Sequence, residues 1–335
     1  MKVLTVLLGT IIGAGFISGA EINLFFNSLG LQGMIGILFS SILLGIVIYF
    51  SLINENKSYN ELVEKNINSK IIRTILLGMI NLFLIISYFI MIAGLSSFFC
   101  DVLNLNYFIS SLLSILIIFI IINGDISRIE NFNKLFIPFL ILLIFSLFFV
   151  IKDIKIVNEY QEMSFNINFL ILGLIYASYN SISLIPITIK LKENNKLKNK
   201  GALFVSIIFS LIIFTCGVIL FVLLENNRMF AKSEIPLLDI VNGKNEILII
   251  FVRISIAISI ISTAVSLQYA AIMNIEKNKS RYTRDILIMN IVAIIVSRIG
   301  FQRLIKIFYP LFGLIGTINL FILMKNYFKY SKIKS

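Results

Sequence analysis

The feature that most limits this chain is a succession of apolar runs, each near the length of a bilayer crossing. The clearest are 201–224 (GALFVSIIFSLIIFTCGVILFVLL) and 105–122 (LNYFISSLLSILIIFIII). Wound as a helix, about 20 apolar residues span the hydrocarbon of a membrane. Ten runs are read: 3–26, 31–53, 71–99, 105–122, 134–151, 167–189, 201–224, 247–273, 284–299 and 306–324. Composition agrees, with 59% hydrophobic and only 14% charged residues, against about 25% charged in soluble domains. The predicted fold class is an all-α integral membrane protein of ten transmembrane helices, forming one transmembrane domain over 1–335. Run 3–26 is too long for a signal-peptide core and reads as a first span.

The charges orient these spans. With the N-terminus inside, 20 of the 29 Lys and Arg fall on the cytoplasmic side and eight outside, with Arg253 within a span. That bias predicts cytoplasmic N- and C-termini in a cell membrane, and an even number of spans. It also explains the net charge of +12 through contact with anionic lipid, so the expected partners are the bilayer and a small-molecule substrate, with no nucleic acid. Oligomeric state is not legible. Histidine is absent, which removes imidazole catalysis and His-ligated metals, and no enzyme activity or resident cofactor is expected. Cys100 and Cys216 read as free apolar cysteines.

Two spans are irregular. Span one, VLTVLLGTIIGAGFISGAEINLFF, places Gly9, Gly13, Gly15 and Gly19 within eleven residues. Such density either weakens a helix or forms a small-residue packing face. Span six carries Tyr176-Ala-Ser-Tyr-Asn-Ser-Ile-Ser183, the most polar stretch in any span, followed by Pro186. That is either a break or a proline kink repaired by hydroxyls. One irregular span opens residues 1–151 and the other opens 167–325. Two five-span blocks have opposite topology because five is odd. Interrupted helices at matching positions of inverted repeats point to a transporter site. Discontinuous helices one and six are therefore expected, with their freed amides and carbonyls facing one chamber.

The segment from Gly9 to Phe26 (GTIIGAGFISGAEINLFF) closely resembles the opening of the YkvI family of bacterial membrane proteins. Tyr176–Asn180 and Tyr309-Pro-Leu-Phe-Gly313 are similar to that family as well. The family looks like a branch of the amino acid–polyamine–organocation superfamily, which implies a LeuT-like 5+5 inverted-repeat fold. The resemblance implies a possible sodium site between the carbonyls of Gly9 and Ile12 and the hydroxyls of Ser259, Ser262 and Thr263. It places Tyr88 at an aromatic gate. A coupling lysine used by some members has a poor match in Lys134.

Glu21 is the acidic residue that lies within a predicted span, and intramembrane carboxylates are functional candidates by default. It binds a substrate amine, carries a proton, lines a solvated vestibule or caps a neighbouring element; Arg253 either pairs with it, helps an anionic substrate enter, or snorkels to the interface, the last being the favoured reading. Ser259, Ser262 and Ser266 recur on one helical face with Thr263 beside them. The expected substrate site is Gly13, Ala14, Gly15, Phe16, Glu21, Tyr88, Tyr176, Ser178, Tyr179 and Asn180. A solute carboxylate would rest on amides near Gly13–Phe16, and its amine on carbonyls of the span-six break. The predicted function is a secondary active transporter of a small zwitterionic solute, an amino acid first, using Na⁺ or H⁺ coupling or exchange. The alternative is a non-transporting sensor or partner protein built on a transporter fold. No GxxxxGK[ST] motif offers ATP as the energy source.

Overall fold

The structure is a computed structural model describing residues 2–56, 58–122, 138–147, 167–195, 199–275 and 282–334. Lys134 and the expected repeat boundary at 151 lie outside the described residues. Those residues form helices α1 (Lys2–Ile11), α2 (Ala14–Ile17), α3 (Ala20–Phe25), α4 (Gln32–Ile53), α5 (Tyr59–Asn66), α6 (Lys70–Leu103) and α7 (Tyr107–Ile122). There follow α8 (Pro138–Leu147), α9 (Asn168–Asn195), α10 (Asn199–Asn226), α11 (Pro236–Val241), α12 (Glu246–Ile275), α13 (Tyr282–Ser297) and α14 (Phe301–Lys334). The architecture is all-helical among the described residues. Six helices, α4, α6, α9, α10, α12 and α14, are long and apolar enough to cross a membrane. Their outward faces carry large apolar side chains such as Ile71, Ile120, Phe204, Ile295 and Phe321, the reverse of a soluble surface and the correct finish for one wetted by lipid.

Several helices run beyond the apolar stretches that announced them. α6 begins at Lys70 because Ser69 caps it, accepting from the Ile72 amide at 3.4 Å, and it continues to Asn104, where a left-handed residue ends it. α14 extends to Lys334. Hydropathy marks what must lie in hydrocarbon, whereas a helix ends where its caps are. The short helices α5 and α11 fall in expected loops. α5 is capped by Ser58 and held against α14 by a polar network. Tyr59 donates to Asn319 at 2.5 Å, and the side-chain amides of Asn66 and Asn56 donate to Asn326 at 3.1 and 3.4 Å.

α9 is the central helix, packed on α4, α14 and α1. Small residues allow this. Gly173 lies over the Gly36 carbonyl, and a methyl at Gly173 would sit 3.0 Å from that oxygen. On α14, Gly313 faces the Ile175 carbonyl and Gly316 faces the Ser178 carbonyl so closely that any side chain at 316 would overlap main chain. Glycine pairs of this kind let helix backbones touch where apolar burial offers no drive, as in lipid.

Span one is interrupted and span six is not. α9 runs unbroken from Asn168 to Asn195 through Pro186, which corrects the expectation of a discontinuous sixth helix. The polar residues explain it, because they bond back onto their own helix. Asn180 Nδ2 donates to the Tyr176 carbonyl (3.1 Å), Ser181 Oγ to that of Ser178 (2.6 Å), Ser183 Oγ to that of Asn180 (3.1 Å) and Thr188 Oγ1 to that of Leu184 (2.6 Å). A run that satisfies itself locally gains nothing by unwinding. In span one Thr10 and Ser18 make bonds of the same kind, to the Val6 and Gly15 carbonyls (3.0 and 3.1 Å), but the stretch between them, residues 11–17, carries two glycines and no hydroxyl or amide side chain. The span breaks at Ile12–Gly13 and again at Ser18–Gly19, where Gly19 adopts φ 79°, a conformation that is strained for a side-chain-bearing residue.

Candidate functional site

At the first break Gly13 is extended (φ −96°, ψ −169°) and offers no capping side chain to α2. Its amide turns back to the Ile11 carbonyl at 2.7 Å, and the next backbone bond is from Ile17 to Gly13. The amides of Ala14, Gly15 and Phe16 thus have no partner among the described residues, and the carbonyls of Gly9, Thr10 and Ile12 take no backbone amide. Free polar backbone within a membrane protein is tolerated where it is buried in protein or lines a cavity.

Such a cavity is present, with a volume of about 450 Å³, within the range of small-ligand sites. It runs from the break along α1 to Thr5, and down α9 to Ile187 and Leu191. On the opposite side it is closed. The Leu237 amide of α11 bonds the Ser18 carbonyl at 3.0 Å, and Asn23 Nδ2 bonds the Ala231 carbonyl at 2.7 Å. Above the break, rings from three helices close the roof. Phe25 stacks on Tyr179 (5.8 Å between centroids), which stacks on Tyr309 (4.7 Å), with Tyr176 edge-on to Phe25 at 5.4 Å. Offset and edge-on pairs are the favoured ring geometries.

Glu21 belongs to this roof. It is 5% exposed, and its side chain folds back over Gly15, where a methyl would come within 2.9 Å of the carboxyl carbon. The hydroxyls of Tyr176 and Tyr179 face the carboxyl. Yet Glu21 Oε2 and both hydroxyls complete no hydrogen bond of normal geometry. Among the described residues Glu21 is the one charged side chain lining the cavity. Arg253 makes no ion pair with it there, and its own Nε is buried and unpartnered. A buried carboxylate with no cation beside it is costly.

The structure brings Gly9, Gly13, Ala14, Gly15, Glu21, Tyr179, Asn180, Ser262 and Thr263 around one cavity. Gly13 lies directly against α12, its missing methyl 3.1 Å from Thr263 Oγ1. Other expected residues sit elsewhere. Phe16 and the Ile12 side chain are buried core. Ser178 is buried off the cavity, its main-chain carbonyl against Gly316 of α14. Ser259 is fully buried off the cavity, its carbonyl accepting from Thr263 Oγ1 at 2.9 Å. Tyr176 lies behind Glu21. Tyr88 is not at the cavity: it donates to Asn290 at 2.5 Å, and Gln268 donates to the same oxygen at 2.6 Å. Its neighbour Ser87 lines the cavity instead, with an unpartnered Oγ, because one residue of helix turns a side chain by about 100°. Tyr309, Ser87, Met91 and Ser183 also line it and were not read as site residues. Tyr309 had a signal, since a phenol deep in a span wants a polar neighbour, and Ser266 continues the Ser259/Ser262 face. Among the described residues no group of three acidic or cysteine side chains could hold a metal ion.

No family model matches the chain. It is 27% identical over 329 residues to the uncharacterized membrane protein YkvI of Bacillus subtilis (strain 168), covering 93% of this chain and 91% of that protein. The resemblance read in residues 9–26 therefore extends along nearly the whole length, and the chain is a membrane protein of YkvI-like sequence. Among solved structures it resembles a crystal structure of the Eremococcus coleocola manganese transporter in complex with an aromatic bis-isothiourea substituted compound. The TM-score is 0.45 with 13% identity, over 96% of this chain and 69% of that one.

Proposed function

We propose that the protein is a secondary transporter of a small amine-bearing solute, with amino acids the leading class, working by alternating access. The observation that carries this reading is the break at Ile12–Gly13, where residues with free backbone groups, Gly9, Thr10, Ala14 and Gly15, line a cavity of about 450 Å³. A helix that merely anchors or packs has no use for three unsatisfied amides at mid-membrane. Closure on the α11 side and extension to Thr5 on the other correspond to one of the two end states such a carrier needs. With cytoplasmic termini, as the Lys and Arg bias supports, that state faces inward. The ten-span, 5+5 inverted repeat remains part of this reading, with the discontinuity confined to the first helix. The continuous α9 then serves as the rigid wall against which the broken helix moves.

Coupling to Na⁺ is supported by chemistry alone: free carbonyls at Gly9 and Ile12, and the hydroxyls of Ser262 and Thr263 next to Gly13, are hard oxygen donors of the kind the ion requires. Ser259, on the same helical face, is buried off the cavity with an unpartnered Oγ. Proton coupling through Glu21 is the competing arrangement. Reconstituted vesicles decide function: saturable uptake of a radiolabelled amino acid, with counterflow on the trans side, is expected. Specific binding without flux in either direction would favour a sensor instead.

A further inference from the structure

The unbroken α9 removes the carbonyls on which a solute amine was expected to rest, and the cavity offers one replacement. We infer that Glu21 is the counter-ion for the ammonium group of the solute, and that the ammonium, rather than a carboxylate, is the obligatory recognition group. The inference rests on the solute-binding reading above, but is tested by binding without flux.

Four observations carry it. Among the described residues the lining holds one acid and no base, so a net positive group restores neutrality and an added carboxylate opposes it. Glu21 Oε2 is buried with no hydrogen-bond partner, a deficit that a charge-assisted bond from an ammonium removes. The carboxyl lies against Gly15, beside the break, so a solute carboxylate placed on the free amides there would sit near a like charge. The surroundings are aromatic: Tyr179 and Tyr309 line the cavity with Glu21, and aromatic rings attract organic ammonium groups. An inorganic divalent ion would need further anionic ligands, and the described residues supply no group of three. Below Glu21 the cavity is walled by Phe83, Leu84, Met91 and Ile187, which suits an apolar substituent on the amine.

The test is thermal stabilisation and calorimetric titration of the full chain in lipid nanodiscs with a matched set of probes. Phenylalanine and 2-phenylethylamine keep the ammonium, 3-phenylpropanoate keeps only the carboxylate, and 2-phenylethanol keeps neither charge. 2-Phenylethylamine is expected to bind at least about tenfold more tightly than the alcohol or the acid, with phenylalanine, whose carboxylate opposes the same site, between them. E21Q is expected to erase that preference while leaving the elution profile unchanged. If E21Q does not fold, the wild-type ranking and Y309F, which keeps the ring and removes a hydroxyl beside the acid, decide. Y309F retains the preference for amines under the inference. The inference is overturned if the acid or alcohol binds within about threefold of 2-phenylethylamine. It is equally overturned if E21Q keeps the amine preference, if neither amine stabilises the protein, or if NaCl or MnCl₂ alone gives the only Glu21-dependent shift. Amino acid uptake by vesicles that ignore E21Q would sink this inference and leave the transporter reading standing.

Discussion

Replacing Gly15 with alanine separates stability from binding. The backbone at Gly15 is an ordinary helical one, with no positive φ, so the methyl meets no conformational strain. In a helix alanine is favoured over glycine by about 1 kcal/mol. Against this stands the overlap with Glu21. The added methyl would sit 2.9 Å from both Cγ and Cδ of Glu21 and still nearer Oε1. Ordinary carbon contacts begin near 3.4 Å, so the carboxyl must retreat by about 0.5 Å or more. Overpacking a tight site costs about 1–3 kcal/mol. The two effects nearly cancel, and G15A is expected to unfold within about 2 kcal/mol of the wild type. The retreat nonetheless carries the carboxyl away from the free face of α2 and into the rings. An ion pair drawn out of register loses about tenfold in affinity for an amine, a 1.4 kcal/mol change. Melting curves and calorimetric titration with 2-phenylethylamine, run on the same preparation, read the two quantities independently. Wild-type affinity in a normally folded G15A protein would refute the placement of Glu21 as the ammonium partner.

Other substitutions test other parts of the structure. G316A forces a methyl into the Ser178 main chain, which cannot give as a side chain can, so a loss of about 1–3 kcal/mol is expected in thermal unfolding. Y88F removes a buried donor to Asn290, whose oxygen keeps its bond from Gln268. It should cost about 1 kcal/mol in stability and leave ligand affinity unchanged; a change in affinity above threefold would put Tyr88 back at the site. P186A restores an amide where α9 already runs straight through, and full uptake with equal or higher melting temperature is expected. Loss of uptake would mean that α9 must break during the cycle.

Much of the fold was legible because a bilayer imposes a simple length rule. Runs such as 201–224 and 31–53 became α10 and α4 with ends shifted by a few residues. Those ends could not be read from hydropathy, since Ser69 and Asn104 stop α6 through capping and a left-handed turn. The two irregular spans looked alike in sequence and behaved oppositely. Glycine has no side chain with which to repair a lost backbone bond, so span one opened. Serine, threonine and asparagine carry their own donors, so the polar run of span six stayed helical around Pro186. Glu21 was legible as the intramembrane acid, but its fold-back onto Gly15 depends on the second break at Gly19, a three-dimensional fact. Tyr88 and Ser87 differ by one position and a third of a turn. The tilt that decides which of them reaches the cavity is set by α12 and α13, far away in sequence.

The central claim is that the broken first helix borders a hydrated chamber reached from the N-terminal end of α1. Cysteine accessibility measures this most directly. In a protein with Cys100 and Cys216 replaced by serine, single cysteines at Thr10, Ser87 and Ser183 line the chamber, while one at Ile295 faces outward at 67% exposure. A charged, membrane-impermeant thiol reagent applied to inside-out vesicles should modify the first three and spare the last, and 2-phenylethylamine should slow the reaction at Ser87. If Thr10, Ser87 and Ser183 are as inert as Ile295 from both faces of the membrane, the chamber is not hydrated and the account fails.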